Sequence, residues 1–316
     1  MATSKKWAVI ATFNTQGRCT NWRGWVQVMR RNFPGSWKHW DILERRNHHE
    51  IEQEILKYSP DHLLILLADG LKLNLSLIKT GKTKIIFYFA DWTDRPEETV
   101  TQYTHCIDWM FLSNKDQIQT YKDLYRINNV NYLPMSCYKH SPIIPYNPDY
   151  SEKMIFVGNI IVGPNGDEIH GRRSKWWWDL KQTYGDSLVN INEPTYPKRN
   201  YIYDSLPAIY NSAKYSINMD AHRPQMDGYT SNRIWAILNF NGLCLTNYFK
   251  GMEDLGLRDS ENCIVFNSPE EFRRKVSHYD DNPELREVIR QNGWELAVNM
   301  HTHQNRLEEI LNVIGG

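Results

Sequence analysis

The sequence predicts an α/β protein of two doubly wound parallel-sheet domains, and three observations carry that prediction. Apolar runs of strand length recur along the chain and alternate with segments of helical period. Several of these runs are apolar throughout, as parallel strands covered on both faces tend to be. The alternation breaks once, at KHSPIIPYNPDYSEK (139–153), which holds three prolines and few periodic apolar positions. A linker there divides the 316 residues into a first domain at 1–140 and a second at 154–316, both of ordinary domain size. The expected architecture is a pair of Rossmann-like domains facing a central cleft, with the carboxyl ends of both sheets turned toward it, where ligands of such sheets bind.

In the first domain the apolar stretch at 7–13 is the opening strand, and a helix begins at 25. A short second strand is expected at 41–43, then a helix at 50–57. The run at 62–68 is a strand, 71–78 a helix, 84–90 a strand, 97–104 a helix and 109–113 a strand. A helix at 115–125 and a strand at 130–133 close the set. In the second domain strands are expected at 154–157, 188–191, 215–219, 243–246 and 264–266. Ser268 with Glu271 three residues on reads as a capping box, and 283–314 is helical in period.

Composition narrows the class. Mean hydropathy of −0.62 suits a soluble protein, and the longest apolar runs fall far short of the ~20 residues of a membrane-spanning helix. The N-terminal MATSKKWAVIATF lacks a small-residue cleavage site and is better a first strand than a signal. Five widely spread cysteines without a CxxC pair argue against a disulfide framework or structural zinc and point to a reducing compartment, the cytoplasm. Basic and acidic residues number 37 each, so no global field draws the chain to nucleic acid. Between residues 14 and 49, however, seven basic residues stand against two acidic, a net of +5.

The unit at 201–246 carries the clearest functional signal. A helix ending near Asn211, a buried strand, a polar loop through Gly228, a helix opening near Ser231 and a further strand follow in order. A polar loop feeding a helix N-terminus offers free N–H groups and the positive end of the helix dipole to a phosphate. Arg233 in the first turn, beside Tyr229, Thr230, Ser231 and Asn232, suits a diphosphate. A plain cap at Ser231 with a solvated Arg233 accounts for the same spacing equally well.

The ordered motifs YNSAKYSINMD, SNRIWAILNFNG, LCLTNYFKGMEDLG, ENCIVFNSPEEF and MHTHQNRLEEIL resemble the C-terminal half of GT-B glycosyltransferases. The subgroup resembled is that of spore-maturation-type proteins and phage-encoded glycosyltransferases. The resemblance runs from about Met154 to the end and implies a nucleotide-sugar donor, a UDP-sugar foremost, with the last helix packing back on the first domain. It also implies a glutamate three residues after the arginine, to grip the donor ribose. This chain has Ala236 there, so donor contacts are rearranged, weakened or removed by design.

Further candidates follow from position. Gly158, just past the first strand of the second domain, lets backbone approach a ligand closely. Arg172 and Arg173 fall near the start of the next helix, within reach of donor phosphates, and the resemblance implies a basic residue near there. Trp176, Trp177 and Trp178 cannot share one helix face, so at least one is expected at the surface. Asp91 and Asp69 follow strand ends, where a carboxylate can take the acceptor proton; turn or cap roles fit them too. Asp91 is favoured because Trp92 beside it can stack on a sugar or base. His301, His303 and Arg306 match a terminal motif of the family, but two histidines two apart on a helix face different ways and make no metal pair. No metal motif is present, and no required metal is expected.

The acceptor is read from the +5 stretch, where Trp22, Trp25, Trp37 and Trp40 interleave with Arg18, Arg23, Arg30, Arg31 and Lys38. Basic residues meet phosphates and aromatic faces stack on exposed bases, so duplex DNA with hydroxymethylated pyrimidines is the favoured acceptor. Arg18, Trp22, Arg23 and Trp92 are its candidate contacts, in the bacterial host cytoplasm if the chain is phage-encoded. A surface glycan, a protein or a small molecule is the second acceptor class. A nonenzymatic nucleotide-sugar-binding protein is the third reading, supported by Ala236 alone.

Overall fold

Two parallel sheets organise the chain in a computed structural model, which describes residues 5–11, 20–41, 47–66, 71–79, 81–89, 101–139, 144–158, 160, 171–191, 202–220 and 226–315. The first sheet comprises β1 (Trp7–Ala11), β2 (Trp37–Asp41), β3 (His62–Leu66), β4 (Lys84–Phe89), β5 (Trp109–Leu112) and β6 (Val130–Tyr132). Between these strands lie α1 (Thr20–Asn32), α2 (His48–Tyr58), α3 (Leu75–Lys79) and α4 (Gln117–Tyr125). The strand order is β2-β1-β3-β4-β5-β6, every pair parallel. β1 and β3 are buried at every residue, because helices cover both faces of the sheet.

The second sheet comprises β7 (Met154–Phe156), β8 (Leu188–Asn190), β9 (Tyr215–Asn218), β10 (Cys244–Asn247) and β11 (Ile264–Phe266). Its helices are α5 (Gly171–Tyr184), α6 (Ile202–Ser212), α7 (Asn232–Asn239), α8 (Pro269–Asp280) and α9 (Pro283–Met300). The order is β11-β10-β9-β7-β8, again all parallel. The chain leaves β7 for β8 on one side and returns to β9 on the other, so β7 and β9 flank a topological switch point. The core beneath it includes Phe156, Trp177, Tyr215, Ile217, Leu245 and Phe266. The α/β class with two Rossmann-like parallel sheets is therefore as the sequence predicts.

Contacts group the chain into two units, Met1–Pro134 with His303–Gly316, and Met135–Thr302. The last helix, α10 (His303–Ile314), is part of the first unit. There His303 stacks on Trp25 at 5.3 Å, and Arg306 Nε donates to the Pro134 carbonyl at 2.9 Å. In the second unit the His301 ring stacks on Trp235 at 3.7 Å and its carbonyl accepts the Cys137 N–H at 2.9 Å.

Several elements differ from expectation, each for a local reason. The second strand lies at Trp37–Asp41, ahead of the 41–43 expected, since Trp40 turns into the core while Lys38 and His39 stay exposed, as an edge strand allows. The helix expected at 71–78 is reduced to α3, because the Asn74 side chain caps it by accepting the Leu77 N–H and the Asn74 N–H is held by Glu52. The part of 97–104 that is described forms a 3-10 turn, Thr101–Cys106. The helical period at 283–314 breaks at His301 and Thr302, where the stacked His301 ring and its bonded carbonyl divert the backbone. Ser268 does cap α8, but Glu271 reaches back to the Asn267 N–H instead of that of the cap residue.

Candidate functional site

The carboxyl ends of β7 and β9 are joined by one side chain. Arg233, in the first turn of α7, donates through Nε to the Val157 carbonyl at 2.5 Å, and through Nη1 to Asn218 Oδ1 at 2.9 Å. Val157 and Asn218 lie at the two strand ends that flank the switch point, where an open parallel sheet takes its ligand. Asn218 Nδ2 donates to Thr246 Oγ1 at 3.1 Å, extending the network to β10. Gly158 is required by the same crowding. A Cβ there would lie 2.5 Å from Phe156 Cζ and 3.0 Å from Arg233 Nη2.

The loop entering α7 is built from hydrogen bonds that the sequence pattern does not display. Ser231 caps the helix, its Oγ accepting the Arg233 N–H at 3.3 Å. The buried Asp220 carboxylate accepts from Thr230 Oγ1 at 3.0 Å and from the Ser231 N–H at 3.2 Å. The Asp220 N–H is held in turn by Asn247 Oδ1, at the end of β10. Tyr229 and Thr230 are buried, whereas Ser231 and Asn232 are half-buried and form the rim.

Two further guanidiniums complete a cationic cluster. Arg173, 6% exposed in the first turn of α5, lies over the Phe156 ring at 5.8 Å, and Arg233 lies over the same ring at 4.9 Å. Burial, then the charge of Arg233, lower the Arg173 guanidinium to about 10, with Asp220 opposing the shift. Arg172 rests on Trp176 at 4.6 Å, and burial lowers it too. Like charges taken out of water at a switch point suit a multiply charged anion, and the N-terminus of α7 adds a dipole of matching sign. Among the described residues no group of three His, Cys, Asp or Glu is placed to hold a metal ion, and no helix is long and apolar enough to cross a membrane.

The structure thus brings together Gly158, Arg173, Arg233 and the 229–232 loop, with Arg172 at the entrance of α5. Ala236 lies one turn beyond Arg233, half-buried, and its methyl offers no acceptor. Asp69, Asp91, Trp92 and Arg18 lie outside the described residues, as do the side chains of Trp22 and Arg23 in α1. Of the four interleaved tryptophans, Trp25 and Trp40 are core residues and Trp37 stacks on His39 at 5.3 Å. Trp177 is buried and Trp178 is 44% exposed, as the run of three requires. Sequence reasoning missed Asp220, Asn218, Phe156 and Asn247. For Asp220 a signal existed: a carboxylate two residues past a buried strand meets the criterion that singled out Asp69 and Asp91.

Residues 163–312 match the family model described as glycosyl transferase-like. No curated protein matches the sequence significantly. Among solved structures, Anabaena HepE in complex with UDP-glucose is 9% identical, covers 98% of this chain and 99% of its own, and superposes with a TM-score of 0.62. A glycosyltransferase from Rickettsia africae ESF-5 is 11% identical, with 98% of both chains covered and a TM-score of 0.54. S. aureus MnaA with UDP is 12% identical, with 98% and 96% covered and a TM-score of 0.54. The chain therefore carries a glycosyl transferase-like segment at 163–312 and has the two-sheet α/β fold of the GT-B enzymes.

Proposed function

We propose that the chain transfers a sugar from a UDP-sugar to a hydroxyl acceptor, with the donor diphosphate seated at the β7–β9 switch point. The observation that carries this reading is the convergence of Arg173 and Arg233 on Phe156 at the strand ends. HepE binds UDP-glucose and MnaA binds UDP on the same fold, which supports uridine diphosphate as the anion. Arg172, Arg173, Arg233 and the Asn232 N–H at the start of α7 would stabilise the charge that grows on the leaving diphosphate, which is where fixed cations and dipoles accelerate group transfer most. Gly158 gives the phosphates room, and Tyr229, Thr230, Ser231 and Asn232 border them. Asp91, with Asp69 as second candidate, is proposed as the base that takes the acceptor proton.

For the acceptor, the basic composition of residues 14–49 supports hydroxymethylated pyrimidines in DNA, with Arg18, Trp22, Arg23 and Trp92 as contacts. One experiment tests donor and acceptor together. A panel of UDP-sugars is incubated with the protein, with and without duplex DNA carrying 5-hydroxymethylpyrimidines, and bases and nucleotides are followed by mass spectrometry. A sugar-sized mass gain on the base is the expected result. UDP release without that gain moves the acceptor to a glycan, a protein or a small molecule, and the absence of both UDP release and UDP binding overturns the donor reading.

A further inference from the structure

Resting on the donor reading, we infer that Asp220 is a positioning residue of the diphosphate site: it holds the loop 226–231 so that the first turn of α7 meets the anion already in place. Asp220 is 8% exposed and both carboxylate oxygens are engaged. Oδ2 accepts from Thr230 Oγ1 at 3.0 Å and from Asn218 Nδ2 at 3.5 Å, and Oδ1 accepts from the Ser231 N–H at 3.2 Å. Its own N–H is fixed by Asn247, so the carboxylate is anchored to the ends of β9 and β10 at once.

The other end of the loop is held independently. The Gly228 N–H donates to the Lys250 carbonyl at 2.9 Å, and Lys250 Nζ pairs with Asp227 at 3.1 Å. Gly251, at φ 79°, lies so close that a Cβ there would be 2.6 Å from Asp227 Oδ1. With both ends fixed, the first-turn amides are assigned. Ser231 N–H goes to Asp220, Arg233 N–H to Ser231 Oγ, and Ile234 N–H to the Ser231 carbonyl. Among the described residues this leaves the Asn232 N–H to meet an anion.

The sign of the charge separates geometry from electrostatics. A carboxylate beside a diphosphate repels it, so Coulomb's law alone predicts tighter anion binding when Asp220 is neutralised. If the residue works by placing the loop, neutralising it weakens binding instead. Asp220 also helps keep Arg172 and Arg173 charged despite their burial.

The test is calorimetric titration of the full chain with inorganic pyrophosphate and with UDP, in the wild type, Asp220→Asn, Thr230→Val, Thr230→Ser and the Asp220→Asn/Thr230→Val double variant. Asp220→Asn is expected to weaken both ligands by the same factor, about tenfold, the scale of one hydrogen bond to a charged group. Thr230→Val should weaken them less, about threefold, because the bond from the Ser231 N–H to the carboxylate remains. Thr230→Ser should restore wild-type affinity, and the double variant should be no weaker than Asp220→Asn, since both residues act through one loop. Pyrophosphate binding in Asp220→Asn that is unchanged or tighter overturns the inference. If that variant does not fold, unchanged pyrophosphate affinity in Thr230→Val overturns it equally. Wild-type binding of pyrophosphate with UDP no tighter sinks the nucleotide reading while leaving the positioning comparison intact, and binding of neither ligand removes both.

Discussion

Arg173 and Arg233 share one aromatic ring, their guanidinium carbons standing 5.8 and 4.9 Å from the Phe156 centroid. Burial of the Arg173 charge foremost, and then the like charge of Arg233, are costly without an anion, and the lowering of Arg173 to about 10 expresses that cost. Below pH 10 the side chain is charged in both folded and unfolded chains and the cost is fully present; it is relieved only as pH rises from 10 toward the ordinary 12.5. Arg173→Met should therefore stabilise the ligand-free protein at pH 8, on the order of 1 kcal/mol, as replacement of buried charge by packed hydrophobe often does. The same variant should lose most of the rise in Tm that UDP gives the wild type, and thermal melts with and without UDP check both halves.

Arg233→Lys keeps the charge and removes the fork. The bonds to Val157 and Asn218 need two nitrogens of one planar group, which a lysine ammonium cannot imitate. UDP affinity should fall by at least tenfold, and stability by about 1.5–3 kcal/mol, the scale of hydrogen bonds to a charged group. Calorimetry and urea unfolding report the two effects separately.

Gly158→Ala tests the crowding at the end of β7. With Phe156 Cζ 2.5 Å from the new methyl, the ring that carries both guanidiniums must move. Overpacking of this kind costs about 1–3 kcal/mol, so the urea midpoint should fall and UDP affinity with it.

Ala236→Glu restores the carboxylate that the family resemblance places one turn after the arginine. The position is half-buried on α7, so a longer side chain has a route to solvent. About tenfold tighter UDP-glucose binding is expected if a charged hydrogen bond to the ribose is regained. Unchanged affinity and turnover in a direct titration would show that the missing carboxylate was not limiting.

The first unit carries a separate pH dependence. His62 opens β3, is buried and stacks on Trp7 at 4.5 Å. Burial foremost, then Lys5, lower its pKa from the ordinary 6.5. The unfolded chain therefore takes up this proton before the folded one. Stability is whole above 6.5 and is lost as pH falls from there toward the folded value. His62→Phe, which keeps the stack, should flatten the drop in urea midpoint between pH 7.5 and 5.5.

The sequence by itself determined the alternation of strands and helices, because parallel strands covered on both faces leave unbroken apolar runs such as Trp7–Ala11 and His62–Leu66. It also determined the Ser231 cap and the candidacy of Gly158, Arg173 and Arg233, since strand ends and helix starts are local events with local residue types. Strand boundaries at the edge were less legible: among the described side chains of β2 only Trp40 is buried against exposed Lys38 and His39, so hydrophobicity marks that strand weakly. The tertiary structure alone decided that Arg233 closes onto Val157, 76 positions away, and that Asp220 holds Thr230 and Ser231. It likewise decided that Trp25 and Trp40 serve the core and not a ligand. The physical reason is common to all three: periodicity reports which face a residue shares, but a switch point is made by strand order, and strand order brings together residues that no spacing in the chain relates.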